Sequence, residues 1–170
     1  MNTTSDLFES FLACPTKCFL RSRGEVGSGN EYADWVKSQN STYRNHALKR
    51  LQNGLPQGEC LIDPPSAKEL KSNSWLLAVN VPANTKNLAT LIHAVERVPS
   101  AGPGKPAQVI PIRFVCFKKL TKNDRLLLAF DAFVLSKATG REVNLGKIIH
   151  GDDYSTLKVK TTFLLGTGEN

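Results

Sequence analysis

The sequence predicts an α/β fold in which helices flank a mixed central β-sheet, and two observations lead to this prediction. From Trp75 onward, apolar and polar residues alternate with a period of two in several short segments, which is typical of β-strands. Among those segments, at residues 121–138, lies a helix that is apolar around most of its circumference. We therefore expect a helical part over residues 1–54 and a sheet core over residues 75–163 that contains this buried helix.

Length and charge limit the classes of protein to which the chain can belong. Its 170 residues, of which 41% are hydrophobic, predict one globular domain over residues 1–170. The formal net charge of +7 and the pI of about 9.4 favour a polyanionic partner such as DNA or RNA, although a merely solvated basic surface also explains them. The sequence has no run of about 18 apolar residues and no signal-peptide pattern, so we expect a cytoplasmic protein without a membrane partner.

The N-terminal part is predicted to be helical, with a break at Pro15 and a second, long helix between Asn30 and Gly54, which are suited to begin and end it. Apolar residues recur in the long helix at near-helical spacing and predict one buried face: Tyr32, Trp35, Val36, Tyr43, Ala47 and Leu51. Its other face is predicted to carry four basic residues, Lys37, Arg44, Lys49 and Arg50. These charges fit a phosphate-contacting face and a solvated face equally well.

The middle of the chain predicts a hairpin and a third strand. The segment LPQGECLIDPPSAKELKSNS predicts a surface loop with one short strand, and WLLAVNVPA then pairs with LATLIHAVERV as a hairpin. The next loop, PSAGPGKPA, lacks the spacing of a phosphate-binding P-loop. We interpret its Lys105 either as part of a basic turn that contacts nucleic acid or as part of a plain hairpin loop. In the strand AQVIPIRFVCF, Pro111 predicts an edge position or a bulge.

The apolar helix has recognisable ends. Thr121 and Asp124 resemble a capping box at its start, and Gly140 is placed to end it. Two strands follow, VNLGKIIHG and TLKVKTTF. In the second strand, two basic residues share one face and two apolar residues share the other, namely Lys158 and Lys160 against Leu157 and Val159.

The order and composition of these segments resemble a known nuclease family. The stretch LLLAFDAFVLSKATGREVNLGKIIHG combines a leucine- and alanine-rich helix, a glycine and a strand that opens with glycine, and FLACPTKCFLRSRG resembles the family's opening helix. With the hairpin and the third strand, these features make the chain similar to RecB-like nucleases of the PD-(D/E)-x-K superfamily and to their CRISPR-associated exonuclease relatives. The resemblance implies a restriction-endonuclease-like core.

The resemblance also implies a catalytic arrangement from which this sequence departs. The family uses an aspartate at the end of one strand, and an acid and a lysine two residues apart on the next strand, with Mg²⁺ or Mn²⁺ as cofactor when the protein is active. The equivalent positions here hold His93, Arg113 and Val115. Because Arg113 would repel a divalent cation and Val115 offers neither a charge nor a proton, the resemblance predicts a degenerate site without the ordinary cleavage.

Other acids are candidates for displaced catalytic ligands, namely Glu96, Asp131, Asp152 and Asp153. His150, Asp152 and Asp153 form the tightest group of histidine and acids, and we interpret it either as a metal site or as ordinary turn chemistry. Glu96 lies three residues after His93, and an odd offset along a strand places two side chains on opposite faces.

The cysteines favour free thiols, because disulfides are rare in intracellular proteins. Cys14 and Cys18 are close in sequence, whereas Cys60 and Cys116 are far from them and from each other. The resemblance implies that many relatives hold an iron–sulfur cluster through one N-terminal cysteine, to which Cys14 corresponds, and three cysteines after the nuclease core. This chain ends at TTFLLGTGEN before such a group, so we expect the cluster only in a longer form.

Three functions remain open at the level of sequence. We favour a catalytically degenerate nuclease-fold protein that binds DNA, or RNA, without sequence preference through Lys37, Arg44, Lys49, Arg50, Lys105, Lys158 and Lys160. The first alternative is an active metal-dependent DNA exonuclease or endonuclease that uses the displaced acids. The second is a protein-interaction module of a larger assembly, with a helicase or another nuclease subunit as its partner.

Overall fold

A computed structural model describes residues 2–25, 27, 29–62, 64–66, 69–70, 72, 74–100, 102 and 107–162 of the chain. Within them lie four helices, α1 (Ser5–Ala13), α2 (Pro15–Ser22), α3 (Glu31–Asn53) and α4 (Lys122–Thr139). The strands are β1 (Thr3–Thr4), β2 (Cys60–Leu61), β3 (Leu77–Asn84), β4 (Leu88–Val98), β5 (Gln108–Val115), β6 (Leu145–His150) and β7 (Ser155–Lys160). None of the described helices carries an apolar stretch long enough to cross a bilayer.

One mixed sheet contains all of these strands, in the order β2-β3-β4-β5-β6-β7, with β1 paired separately to β4. Strands β3, β4 and β5 form an antiparallel meander, β6 runs parallel to β5, and β7 returns antiparallel to β6. Parallel strands need a crossover, and α4 supplies it between β5 and β6. The predicted α/β fold with a mixed sheet flanked by helices is confirmed, and β1 is an addition to the predicted helical part.

Helices cover both faces of the sheet. The C-terminal half of α3 packs one face through Ala47 and Leu48, which join a cluster with Val79, Ala94, Ile112 and Phe114. Helix α4 packs the opposite face through a buried cluster with the same strands, which contains Ala132, Val134 and Leu135 together with Val81, Ile92 and Val95. The predicted burial of this helix is confirmed, because it is enclosed by the sheet and by α1, whose Phe8 stacks on Phe130 at 4.9 Å.

The predicted apolar face of α3 is wrong for the N-terminal half of the helix. Tyr32 and Trp35 are 69% and 54% exposed and stack on each other, whereas Ala47 and Leu48 are the buried residues of this helix. A helix of 23 residues is about 34 Å long. That length exceeds the part of the sheet that α3 covers, so its first turns project past the packed region.

Pro111 does not mark an edge strand. Strand β5 pairs with β4 on one side, where Pro111 lies opposite Val95, and with β6 on the other. The pairing with β6 begins only at Ile112, one residue later. A proline without an N–H is therefore accommodated where the second ladder has not yet begun.

The ends of α4 follow the prediction, and a glycine of β6 lets the helix approach the sheet. Thr121 and Asp124 form a capping box, and Gly140 ends the helix in the left-handed conformation with φ of 66°. A Cβ atom on Gly146 would lie 2.8 Å from Leu128 Cδ2. Since Leu128 is fully buried, only glycine fits this contact between helix and strand.

Candidate functional site

Strand β4 has a gap in its pairing along one edge. On that edge β5 pairs with Ala94–Val98 and β1 pairs with Leu88 and Ala89, so the strand partners stop on either side of residues 90–93. On the opposite edge, the ladder with β3 is interrupted at a single pair, Asn80 and His93. The sheet is therefore open at the strand position to which the family resemblance assigns catalysis.

His93 closes this gap with its side chain. Its Nδ1 atom accepts a hydrogen bond from the backbone N–H of Phe114 at 3.2 Å, and the two rings stack with centroids 5.9 Å apart. Removal from water is the main cause that places the pKa of His93 well below its usual 6.5, and the charges of Arg113 and Arg44 lower it further. His93 is thus a neutral imidazole that carries its proton on Nε2.

The regular alternation of β4 is also interrupted at this point. Ile92 belongs to the buried cluster beneath α4. Ala94 belongs to the cluster beneath α3, and so does Phe114, on whose ring His93 stacks. Glu96 lies in a depression with Leu51 of α3. His93 and Ala94 are consecutive, yet both lie on the α3 side of the sheet, and Glu96 lies on the same side as Ala94, two residues earlier. The expectation that His93 and Glu96 lie on opposite faces is therefore wrong.

Arg113 and Asp131 form a buried ion pair between β5 and α4. Arg113 Nη1 lies 2.6 Å from Asp131 Oδ2, with the two side chains 13% and 2% exposed. Thr90 donates its hydroxyl proton to the other carboxylate oxygen, Oδ1, at 2.6 Å. Burial raises the pKa of Asp131 from its ordinary 3.8, and Arg113 opposes that shift. Both oxygens of this carboxylate are therefore engaged within the protein.

Arg44 approaches the same place from α3. Its Nη2 atom donates to Asn80 Oδ1, and Asn80 adopts a left-handed backbone conformation with φ of 53°. Asparagine tolerates that conformation better than most residues do. Burial and the neighbouring charge of Arg113 lower the pKa of Arg44 from its ordinary value. The prediction that Arg44 lies on the exposed face of α3 is wrong, because it is half-buried one turn before Ala47 and Leu48.

These residues line two adjoining depressions of about 490 and 480 Å³. Four residues are common to both, Glu9, Arg44, His93 and Arg113, and we call the space that they enclose the arginine cleft. One depression extends to β1 and the start of α1, and the other extends along α3 to Phe117. Described residues of seven elements border the two depressions: β1, α1, α3, β3, β4, β5 and α4.

The residues of the cleft do not fit the Mg²⁺ or Mn²⁺ ion that the resemblance implies. A divalent cation requires carboxylate or other oxygen ligands, whereas the positions at issue hold a neutral imidazole, a guanidinium group and a buried valine. Val115 packs among Leu128, Ile148 and Val159 and presents no polar atom. Asp131, the buried acid nearby, is bound by Arg113 and Thr90 and so is not a ligand in this arrangement.

Two of the other acids considered as displaced ligands have partners of their own. Glu96 forms an ion pair with Lys147. Asp153 accepts a hydrogen bond from Ser155 at 2.6 Å, and His150 Nδ1 lies 3.0 Å from the carbonyl oxygen of Lys118. Among the described residues, no three His, Cys, Asp or Glu side chains gather as a metal site. Metal binding by His150, which ends β6, and by Asp152 and Asp153, which lie in the β6–β7 connection, stays a prediction.

The cysteines do not assemble either. All four are free thiols, Cys14 being exposed and Cys18, Cys60 and Cys116 partly buried. Cys14 is the N-cap residue of α2, where the neighbouring backbone N–H groups of Lys17 and Thr16 lower the pKa of its thiol. An iron–sulfur cluster needs several thiolates, so these described cysteines do not by themselves fit one.

The remaining basic residues named by the sequence lie on exposed surface, apart from Lys105, which is outside the described residues. Lys37 lies 4.0 Å from Asp34, and Lys49 is solvated. Arg50 lies over the ring of Tyr154, 4.5 Å from its centroid. Lys158 and Lys160 project together from β7 while Val159 is buried, as predicted. Strand β7 ends the sheet, so both lysines lie on a sheet edge.

Sequence reasoning missed Asn80, Thr90 and Glu9 as members of the site. Each lies in a different element, and their separation along the chain leaves no local motif. The one available signal was Asn80, a turn-forming residue inside the apolar strand WLLAVNVPA. A comparison with protein-family models finds no match, and a comparison with curated proteins finds no similar sequence.

Proposed function

We propose that this chain is a RecB-like nuclease-fold protein with a restriction-endonuclease-like core, which binds DNA or RNA through basic residues and has lost metal-dependent cleavage. The order of its elements supports the proposal: a helical N-terminal part precedes a hairpin, a third strand, a buried crossover helix and two further strands. This is the order in which the resembling segments occur along the sequence.

The Arg113–Asp131 ion pair carries the proposal that catalysis is lost. The family would place a metal-binding acid at the position of Arg113, and here a guanidinium group reaches from that position to a buried carboxylate. A cation bound there would face Arg113 and Arg44 at short range, which is unfavourable in a partly desolvated cleft. Phosphodiester hydrolysis of the PD-(D/E)-x-K kind therefore has no metal ligands at this place.

Charge supports the binding of nucleic acid. The chain has a net charge of +7, and basic side chains are exposed on α3 and β7, namely Lys37, Lys49, Arg50, Lys158 and Lys160. Lysine and arginine side chains neutralise phosphates and release counterions, which gives binding without sequence preference. The exposed guanidinium group of Arg50, which lies 4.5 Å from the centroid of the Tyr154 ring, adds a plane on which an unpaired base can stack.

One assay tests both halves of this proposal. The purified protein is incubated with labelled single-stranded and double-stranded DNA in about 50 mM salt, with Mg²⁺ or with EDTA. The proposal predicts a retarded complex in both conditions, from which intact DNA is recovered. Mg²⁺-dependent shortening of the DNA would contradict the loss of catalysis, and an absence of any complex would contradict the binding function.

The exposed aromatic residues favour a second candidate, the protein-interaction module. Large apolar side chains are exposed on α1, α2, the start of α3 and the segment after β5, namely Phe11, Phe19, Tyr32, Trp35 and Phe117. Such side chains are enriched at protein interfaces, and they also stack on unpaired bases. A Tyr32→Ser/Trp35→Ser variant separates the two roles, because only base stacking predicts weaker binding of single-stranded DNA.

A further inference from the structure

Arg44 is a half-buried cation whose hydrogen-bond partner is neutral. Its guanidinium group donates to the side-chain amide of Asn80, and no carboxylate among the described residues forms an ion pair with it. A second guanidinium group, that of Arg113, is close enough to lower the pKa of Arg44. A partly desolvated positive charge beside a like charge is unfavourable unless an anion offsets it.

The charges that face the cleft leave an excess of one positive charge at its centre. Asp131 neutralises Arg113, and His93 is uncharged, so Arg44 remains. Lys37 also borders the cleft, but it is exposed and lies 4.0 Å from Asp34. Glu9 and Asp6 also border the cleft, but both are exposed on α1, where water screens their charges. Asp124, on the α4 side, is engaged by the hydroxyl and N–H groups of Thr121. These acids therefore do not take the place of a bound anion at Arg44.

Hydrogen-bond donors converge on the same space. Each guanidinium group carries five N–H donors, and the bonds to Asn80 and Asp131 occupy one donor each. His93 adds its Nε2–H, since its Nδ1 atom accepts the Phe114 N–H. These groups come from α3, β5 and β4, that is, from three directions. Such an arrangement matches the oxygens of a tetrahedral phosphate, to which arginine binds with its planar fork.

We propose that the arginine cleft binds one phosphate group of a nucleic-acid strand through Arg44, Arg113 and His93. The identity of the strand rests on the proposed function, whereas the recognition of phosphate rests on the cleft alone. The position that the family resemblance assigns to a metal ion thus holds an anion. The phosphate is either a backbone diester or a terminal monoester, and both offer the same oxygens to these donors.

The test uses inorganic phosphate as the probe, measured by isothermal titration calorimetry against the whole chain. Arg44→Gln removes the uncompensated charge, and Asn80→Asp supplies a carboxylate to Arg44 from within the protein. Both variants should weaken phosphate binding by at least about tenfold, because each loses a charge-assisted interaction. Arg125→Gln, at an exposed position of α4 that borders neither depression, is the matched control and should stay within about twofold.

Aspartate has the same size as asparagine and also tolerates the left-handed backbone conformation of residue 80. The melting temperature of the Asn80→Asp variant should therefore equal or exceed that of the wild-type protein. Loss of phosphate binding by this folded variant supports the proposal. Unchanged binding by Asn80→Asp, or no saturable binding by the wild-type protein up to about 10 mM phosphate, would overturn it.

Oligonucleotides with and without a 5′-phosphate identify the source of the phosphate and separate the two proposals. Tighter binding of the 5′-phosphorylated strand, sensitive to Asn80→Asp, assigns the cleft to a terminal monoester, and equal binding with the same sensitivity assigns it to the backbone. Phosphate binding without binding of either strand overturns the nucleic-acid function and the assigned source. If both strands bind and Asn80→Asp leaves their affinity unchanged, the proposal that the arginine cleft binds a phosphate of the strand is overturned, whereas the proposed function stands.

Discussion

Arg113 on β5 and Asp131 on α4 join the sheet to its crossover helix through a 2.6 Å ion pair that is almost fully buried. Thr90 of β4 completes the arrangement by donating to the same carboxylate. The pair therefore connects three elements at the opening in the sheet. It has two consequences, since it removes the nearby acid as a metal ligand and it fixes a guanidinium group at the edge of the cleft.

Breaking this pair should destabilise the protein. The Arg113→Met change leaves Asp131 buried with only Thr90 as a partner, and we expect a loss of about 3–5 kcal/mol in unfolding free energy at neutral pH. Urea denaturation followed by circular dichroism measures this loss. The double variant Arg113→Met/Asp131→Leu removes both charges and should recover most of it. A double variant as unstable as Arg113→Met would contradict the assignment of the penalty to an unpaired carboxylate.

The same variant should have a distinctive pH dependence. Because the pKa of Asp131 is raised, there is a pH range above 3.8 in which Asp131 holds a proton in the folded protein but has released it in the unfolded chain. The unfolding free energy therefore falls as the pH rises through that range. Removing Arg113, which lowers this pKa, extends the range upward, so the penalty of Arg113→Met should shrink as the pH is lowered. A penalty that is independent of pH would count against this account.

His93 should make the protein less stable in acid. Its pKa in the folded state lies well below 6.5, so below that pH the unfolded chain binds a proton that the folded protein does not. The unfolding free energy should fall as the pH drops below 6.5, with a limiting slope of about 1.4 kcal/mol per pH unit from this residue. His93→Asn should abolish that part of the slope, whereas His46→Asn, at an exposed position of α3, serves as the control.

Gly146 should be intolerant of a side chain. A Cβ atom there would lie 2.8 Å from Cδ2 and 2.9 Å from Cγ of the fully buried Leu128. We expect Gly146→Ala to reduce the unfolding free energy by about 1–3 kcal/mol through overpacking. Gly54→Ala is the matched control, since its nearest contact would be an ordinary 3.6 Å to Leu51. Equal denaturation midpoints for the two variants would show that α4 can move away from β6.

The purified chain should not cleave DNA with Mg²⁺ or Mn²⁺. The reason is the set of side chains at the expected catalytic positions, His93, Arg113 and Val115, together with the engagement of Asp131. The measurement is gel analysis of supercoiled plasmid and of labelled linear strands after prolonged incubation. Metal-dependent nicking that is lost in Glu96→Ala or Asp152→Ala would instead support a catalytic site built from displaced acids.

The sequence predicts most of this fold because its signals are local. Alternation gives the strands from Trp75 onward, and the capping box at Thr121 with Gly140 gives the bounds of α4 to within one residue. Burial depends on distant parts of the chain and is harder to predict. The spacing of Tyr32 and Trp35 fits a buried helix face, but the sheet does not extend to these residues and both are exposed. Pro111 was misjudged for the same reason, since its acceptance depends on where a neighbouring strand begins to pair.

The site is harder to predict because its contacts connect distant parts of the chain. The resemblance led to His93 and Arg113, but not to their partners. The hydrogen bond from Arg44 to Asn80 spans 36 residues and that from Thr90 to Asp131 spans 41. The interruption of alternation at His93 depends on the end of the β5 ladder, which has no signature in the strand itself. The sequence predicts Arg44 on the solvent face of α3. Its burial is missed because it depends on a depression in the sheet opposite the helix.

Binding of nucleic acid is measured by a fluorescence-anisotropy titration of labelled DNA and RNA between about 50 and 200 mM salt. The proposed function predicts sequence-independent binding that weakens steeply with salt, and a uniform further loss of affinity in Lys158→Glu/Lys160→Glu. The control, Lys86→Glu/Lys122→Glu, changes the net charge equally at exposed positions outside the proposed surface and should lose less affinity. Equal losses in both variants would show that net charge alone governs binding, and no binding to any DNA or RNA at low salt would contradict the proposed function.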